Sequence, residues 1–341
     1  MPATGLSVVV AMDKFRSTAT AAELAQSIVD HGGAGVTFDV VELSDGGEGF
    51  RATFDGEVVT LRVRGPWGDY HDAPMTLVRR GPDVLGVIEV AEIIGRSHQS
   101  APTSTQALAA SSAGVGDAIL ASARWGVTRV VVGCGGSATS DGGAGCYDVL
   151  REHAAAPVAL TAATDVDADY LGALRYAPQK GVDDEDLAVV ARRLDDLATR
   201  FERDGGPDVR RVARAGAAGG LGGALFARGA DLVSGFDETA ALTALRARLA
   251  TAAAVITGEG RLDAGSLEGK VVAGVCALTA ASQRVLVVCG SLEGEAARAL
   301  RRRYPWVRVV DLVSRVGERR AFEDTARAVG ELTAQFLAGA D

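Results

Sequence analysis

Lysine is nearly missing from this chain. Of 35 basic residues in 341, only Lys14, Lys180 and Lys270 are lysine, and arginine supplies the rest. Cysteine is scarce as well. Cys134, Cys146, Cys276 and Cys289 show no CxxC spacing, which argues against a zinc ribbon or a disulfide framework and predicts reduced thiols in a cytoplasmic protein. The formal net charge of −9 speaks against a nucleic-acid partner, which calls for a basic surface. No uncharged apolar run reaches the length of a membrane span, so no membrane partner is expected. The opening MPATGLSVVVAMDKF lacks a basic leader and soon meets Asp13, so it does not read as a signal peptide. A G-x-x-x-x-G-K-[ST] loop is missing too: Gly265 to Lys270 is one residue short and has no hydroxyl after the lysine. The Gly-rich loop, HRD and DFG set of protein kinases is also lacking.

What the chain does have is glycine-rich turns carrying acidic residues. GCGGSATSDGGAG (133–145) follows a β-like run, Val127 to Val132, and leads into a helix-compatible segment, Cys146 to Glu152. Such a turn exposes backbone N–H groups at a positive helix end, which suits phosphate. A tight turn with a Ser or Asp cap would use the same residues. Related turns are SDGGEG (44–49), AGAAGGLGG (215–223) and TGEGRLDAGSLEGK (257–270). The glycines of 215–223 read equally as close helix packing or as ligand approach. All three lysines sit in motif segments, and a lysine is a compact charge able to follow a moving phosphoryl group.

With 48% hydrophobic and 23% charged residues, the chain is that of a soluble globular protein long enough for two domains. Leu6 to Ala11 reads as a buried strand, Thr20 to Glu23 as a capping box opening a helix to His31, and Val36 to Leu43 as the next strand. In the middle, Glu57 to Val63 and Val84 to Val90 read as strands separated by a turn-rich PWGDYHDAP. Gln106 to Trp125 reads as helix interrupted at Gly114 and Gly116, and Val158 to Ala162 as a strand delivering Asp165. Asp184 to Arg203 is an amphipathic helix. Strict alternation then returns: strand Val255 to Thr257, helix Leu267 to Ala281, strand Arg284 to Val288, helix Leu292 to Arg303, strand Val307 to Val313 and helix Arg320 to Leu337. The pattern predicts one parallel α/β sheet built from both chain ends, 1–53 with 245–341, and an inserted α/β domain over 54–244. His31, His71, His98 and His153 lie apart from the motifs and read as surface or core residues, and Trp67 and Trp125 as packing residues.

Six segments in order resemble the motifs of the type I glycerate kinases: AMDKFRST (11–18), SDGGEGF (44–50), GGSATSDGGAG (135–145), APQKGVD (177–183), GAAGGLGGAL (216–225) and VITGEGRLDAGSLEGK (255–270). The resemblance implies a flavodoxin-like doubly wound parallel sheet with a second α/β domain, and a site in the cleft between them. It also implies ATP and Mg²⁺ as cofactors and a small acid, D-glycerate, phosphorylated at its 2-hydroxyl. A second copy of the chain is left open as a partner. Phosphoryl transfer needs cations and donors around the γ-phosphate, carboxylates for Mg²⁺ and a base near the attacking hydroxyl.

In these segments Asp45 is the candidate base and Lys270 and Arg261 would neutralise an acidic ligand, while Glu259, or Asp165 after the strand Val158 to Ala162, could hold Mg²⁺. Gly135, Gly136 and Ser137 would cradle ATP phosphates or the glycerate carboxylate. Asp13, Arg16, Gly46, Gly47, Glu48, Asp141, Lys180 and Asp263 complete the binding set. An N-cap or turn role competes for each of the acidic residues. Against the family pattern, Met12 replaces a proline, Ser140 an asparagine and Ala113 an arginine, and the segment 165–176 is short. Arg16, Lys180, Arg261 and Arg175 remain as cations for a substrate carboxylate. A kinase of altered specificity, and a ligand-binding protein without turnover, stay open as alternatives.

Overall fold

The computed structural model describes residues 5–15, 18–98, 101–152, 158–267 and 270–339. Its strands are β1 Leu6–Met12, β2 Val36–Glu42, β3 Glu57–Arg64, β4 Tyr70–Arg80, β5 Asp83–Glu89, β6 Arg129–Gly133, β7 Ala159–Thr164, β8 Asp231–Ser234, β9 Ala254–Leu262, β10 Arg284–Leu292 and β11 Val307–Asp311. Two compact units result. One combines residues 1–45 with 236–341, and the other spans 46–235.

In the first unit the strands run β11-β10-β9-β1-β2, all parallel, with Val8 and Val287 in one sheet. Counted along the chain this is the order 2-1-3-4-5, a flavodoxin-like doubly wound sheet. Strands of such a sheet are covered on both faces and therefore read as unbroken apolar runs. VVVA of β1 obeys this: Val9 and Ala11 pack with Val255 and Val285 on one face, and Val8 and Val10 pack with Leu24 and Ile28 on the other. The helix Ala21–His31 starts at the expected capping box. Thr20 Oγ1 accepts from the Glu23 N–H at 3.2 Å, and the Glu23 carboxylate accepts from the Thr20 N–H at 2.8 Å. The order reverses between β1 and β9, where ligands bind at the strand carboxyl ends.

The second unit holds a mixed sheet, β3-β4-β5-β6-β7-β8. Its first three strands are antiparallel and the rest parallel. Several elements here differ from the sequence reading. YHDAP is not part of a turn-rich link but the start of β4. Pro74 is tolerated because at that point β4 pairs only with β3, through Thr60, and its pairing with β5 begins at Thr76. Gly114 and Gly116 do not interrupt a helix. They lie inside Ala113–Ser122, and a Cβ on Gly114 would stand 1.8 Å from the Arg64 carbonyl oxygen. The break falls instead at 110–112, where the Ser112 N–H and hydroxyl both turn to Asp141.

In the first unit, TGEGRL is strand rather than turn. β10 continues the ladder with β9 as far as Leu262, after β1 has stopped at Gly258. The final helix is broken at Asp324 into Glu318–Glu323 and Thr325–Leu337. All four cysteines are buried and unpaired, and burial pushes their thiols up, Cys276 and Cys289 to about 12. Among the described residues no helix is long and apolar enough to cross a membrane.

Candidate active site

At the carboxyl ends of β1 and β9 the first unit opens a cavity of about 380 Å³, walled by Asp13, Lys14, Asp45, Glu259, Arg261, Asp263 and Lys270. Each wall residue is placed by the sheet. Asp13 leaves β1, and its N–H donates to the Gly258 carbonyl at 3.1 Å. Asp45 follows β2 on a segment held by Leu43 N–H to Met12 O, 3.1 Å, and by the Thr239 hydroxyl to Ser44 O, 3.1 Å. Glu259 stands one residue past the end of the β1 ladder, where only β10 flanks it. Lys270 is the N-cap residue of the helix Val271–Leu278.

Two features set the electrostatics. Lys270 Nζ lies 3.3 Å from Asp45 Oδ2, and the Asp45 side chain is only 11% exposed. Glu259 is buried, and its Oε1 has no hydrogen-bond partner among the described residues. Burial first, and then the charges of Asp13 and Asp263, push its carboxyl up to about 8, against the opposing pull of Ser266 and Lys270. A buried carboxyl with an unsatisfied oxygen is suited to a cation. Arg261 is at the mouth, 65% exposed, and pairs with Glu293 at 2.6 Å. Asp263 closes the turn to Ser266, its Oδ1 accepting from the Ser266 N–H at 3.2 Å. Arg16 lies outside the described residues, while its neighbour Lys14 is on the cavity wall.

The other candidates gather in the second unit around the central glycine turn. The Cys134 N–H donates to Ala163 O at 2.8 Å, and the Gly135 N–H to Gly46 O at 3.0 Å. Only glycine fits at 135, because a Cβ there would meet Gly47 Cα at 2.4 Å. Ser137 faces Gly95, held by Arg96 N–H to Gly136 O and Ala138 N–H to Ile94 O. Among the described residues the Gly136 and Ser137 N–H groups meet no acceptor, and the buried Thr139 and Ser140 hydroxyls have no partner.

Asp141 is fully engaged. It accepts from the Ser112 N–H and hydroxyl, both 2.8 Å, from Gly143 N–H at 3.0 Å and from Gly145 N–H at 3.2 Å. Lys180 Nζ donates to Ser137 Oγ at 2.8 Å and to Thr139 O at 2.6 Å. Burial lowers its pKa to about 8, with Asp141 and Asp165 opposing. Behind the turn, Gly142 N–H donates to Gly219 O at 3.0 Å, and the left-handed run Ala218 to Gly220 packs GAAGG against it.

Glu48 is exposed, and Asp165 follows β7. Sequence reasoning missed Glu89, which is buried at the end of β5 opposite Gly133. It accepts from the N–H groups of Gly49 at 2.9 Å and Arg51 at 3.2 Å, fixing the DGGEG turn. The available signal was a glutamate closing an otherwise apolar strand, DVLGVIE.

Comparison with known proteins agrees in one direction. The glycerate kinase family matches residues 8–155 and 149–338. Glycerate 2-kinase of Escherichia coli (strain K12) is 30% identical over 330 residues, 84% of this chain and 86% of the relative. Glycerate kinase of Halalkalibacterium halodurans is 31% identical over 331 residues, 84% and 86% of the two chains. A crystal structure from Salmonella typhimurium LT2, assigned by name to glycerate kinase 2, superposes with a TM-score of 0.78 at 26% identity and covers 98% of both chains.

Proposed function

Because the chain belongs to the glycerate kinase family, we propose that it transfers the γ-phosphoryl group of ATP to the 2-hydroxyl of D-glycerate, giving 2-phosphoglycerate and ADP. The observation that carries this reading is the Asp45–Lys270 pair on the wall of a carboxylate-lined cavity at the switch point of the sheet. Asp45 accepts the proton of the attacking hydroxyl, and Lys270 faces the negative charge that develops on the transferred group. Proton abstraction and charge stabilisation of this kind are what phosphoryl transfer asks of a protein. Lys14 and Arg261 add positive charge for an anionic ligand. In the second unit, the N–H groups of Gly136 and Ser137 support the reading of a phosphate or carboxylate cradle.

The donor set of the cavity also suits Mg²⁺, which prefers hard carboxylate oxygens. Glu259, whose Oε1 is buried and without a partner among the described residues, would hold it together with Asp13. When bound, the ion supplies charge neutralisation to the phosphates. Asp165, the other candidate ligand, stands in the second unit, close enough to Lys180 to raise that residue's pKa. Four buried, unpaired thiols support a reducing compartment, the cytoplasm, for this reaction.

The test is ADP release with Mg-ATP across a panel of small hydroxy acids, with the product identified by phosphorus NMR. Turnover of D-glycerate to 2-phosphoglycerate is expected. Formation of 3-phosphoglycerate reassigns the hydroxyl, and turnover of a different acid reassigns the substrate. ATP binding without turnover of any acid overturns the kinase reading.

A further inference from the structure

Away from both groups of motif residues, the second unit brings together two histidines and an aspartate from two separate places in the chain. Asp69 sits on the turn between β3 and β4, His71 on β4, and His98 on the short helical turn Arg96–His98. One ligand atom from each lies within 4.8 Å of the others, and the two imidazole rings stand 4.6 Å apart at 62°. We propose that Asp69, His71 and His98 form a binding site for a divalent transition-metal ion of the zinc type.

The state of His71 is the strongest reason. Its Nε2 is 3.2 Å from the Glu92 carbonyl oxygen, which can only accept, so Nε2 carries the proton. Nδ1 then bears the lone pair, and this atom is buried with no hydrogen-bond partner among the described residues. An imidazole fixed by one N–H to a backbone carbonyl, with its other nitrogen unsatisfied, is how metal-ligating histidines are held.

The carboxylate belongs to an exposed residue on a braced turn. Its turn is closed by Gly65 N–H to Asp69 O at 2.6 Å, and anchored by Trp67 Nε1 to Gln106 O at 2.9 Å and Ser111 N–H to Pro66 O at 2.8 Å. Two imidazoles and one carboxylate make a zinc-type ligand set, with a fourth position for water. Magnesium, which prefers oxygen ligands, is the wrong ion for it.

The site has a structural consequence. His98 N–H donates to Gly95 O, and Gly95 faces Ser137 across the bridge that flanks the central glycine turn. A bound ion would tie the β3–β4 turn to the segment that braces Gly136 and Ser137.

The full chain, stripped with a chelator, is titrated with ZnCl₂ against a chromophoric competitor, and separately with CoCl₂ while visible ligand-field bands are followed. One equivalent of Zn²⁺ should bind, excess Mg²⁺ should not displace it, and Co²⁺ should develop absorption. His98→Ala changes an exposed residue and should weaken Zn²⁺ by at least about tenfold, since even an outer-shell partner of a metal ligand is worth about 10–100-fold. His71→Ala should do the same. Unchanged affinity and stoichiometry in the His71→Ala/His98→Ala double variant would place the ion elsewhere and overturn the proposal. No stoichiometric binding by the parent chain, or ready displacement by Mg²⁺, would also overturn it.

Discussion

The two units use the same residue types in opposite ways. In the first, acidic side chains face open volume: Glu259 has an oxygen without a partner among the described residues, and Asp45 meets Lys270 at the edge of a cavity of about 380 Å³. In the second, charged side chains close on their own backbone. Asp141 takes hydrogen bonds from Ser112, Gly143 and Gly145, Glu89 from Gly49 and Arg51, and Lys180 gives its own to Ser137 and Thr139. What its central glycine turn leaves open among the described residues is small: the N–H groups of Gly136 and Ser137 and the hydroxyls of Thr139 and Ser140. An aspartate after a strand and beside glycines is therefore not one kind of residue. Asp45 and Asp141 look alike in sequence, yet one lines a cavity and the other fastens a turn. On the proposed reading, removing charge from the first unit costs rate, and removing it from the second costs stability.

The largest stability effect is expected at Asp141. Replacing it with alanine leaves the buried N–H groups of Ser112 and Gly143 and that of Gly145 without an acceptor, at about 1–3 kcal/mol for each buried orphan. Asp141→Ala should therefore lose at least about 2 kcal/mol in urea unfolding. A loss under about 1 kcal/mol would break the distinction between the units.

A smaller effect separates the units by the sign of their pH dependence. The Glu259 carboxyl is raised from 4.5 to about 8 in the fold. Between those values the native state holds a proton that the unfolded chain has released, so this group's contribution is full below 4.5 and is lost as pH rises through about 8. Lys180 is lowered from 10.5 to about 8. Between these values the unfolded chain holds the extra proton, so stability rises with pH across that window. Glu259→Gln should flatten the first slope and Lys180→Met the second, each by on the order of 1–3 kcal/mol. Melts of chelated protein between pH 4 and 11 read this out. Variant profiles parallel to the parent's would contradict it.

Much of the fold was legible because it is locally encoded. The capping box at Thr20 and Glu23 marks its own helix, and unbroken apolar runs such as Val8 to Ala11 mark strands covered on both faces. The failures have a common cause, which is information held by distant partners. β4 was obscured by Asp72 and Pro74, whose acceptability depends on where β5 begins to pair. TGEGRL is a strand because β10 outruns β1, which nothing in those six residues announces. Gly114 sits in a helix because the Arg64 backbone passes close by.

At the site the glycine turns pointed to the right segments, but not to what each side chain does there. The tie between Asp141 and Ser112 spans 29 positions. Glu89 reaches Gly49 across 40. His71 and His98 meet only because a strand and a helical turn return to the same place.

The most direct test of the account is Lys270→Ala, assayed with Mg-ATP and D-glycerate and melted in parallel. Lys270 begins a helix and is not part of a hydrophobic core, so the melting curve should stay close to the parent's. In this variant kcat/KM should fall by about 10²-fold or more, about 2.7 kcal/mol of lost transition-state stabilisation. Turnover within about threefold of the parent, with the fold intact, would contradict the role of the Asp45–Lys270 pair.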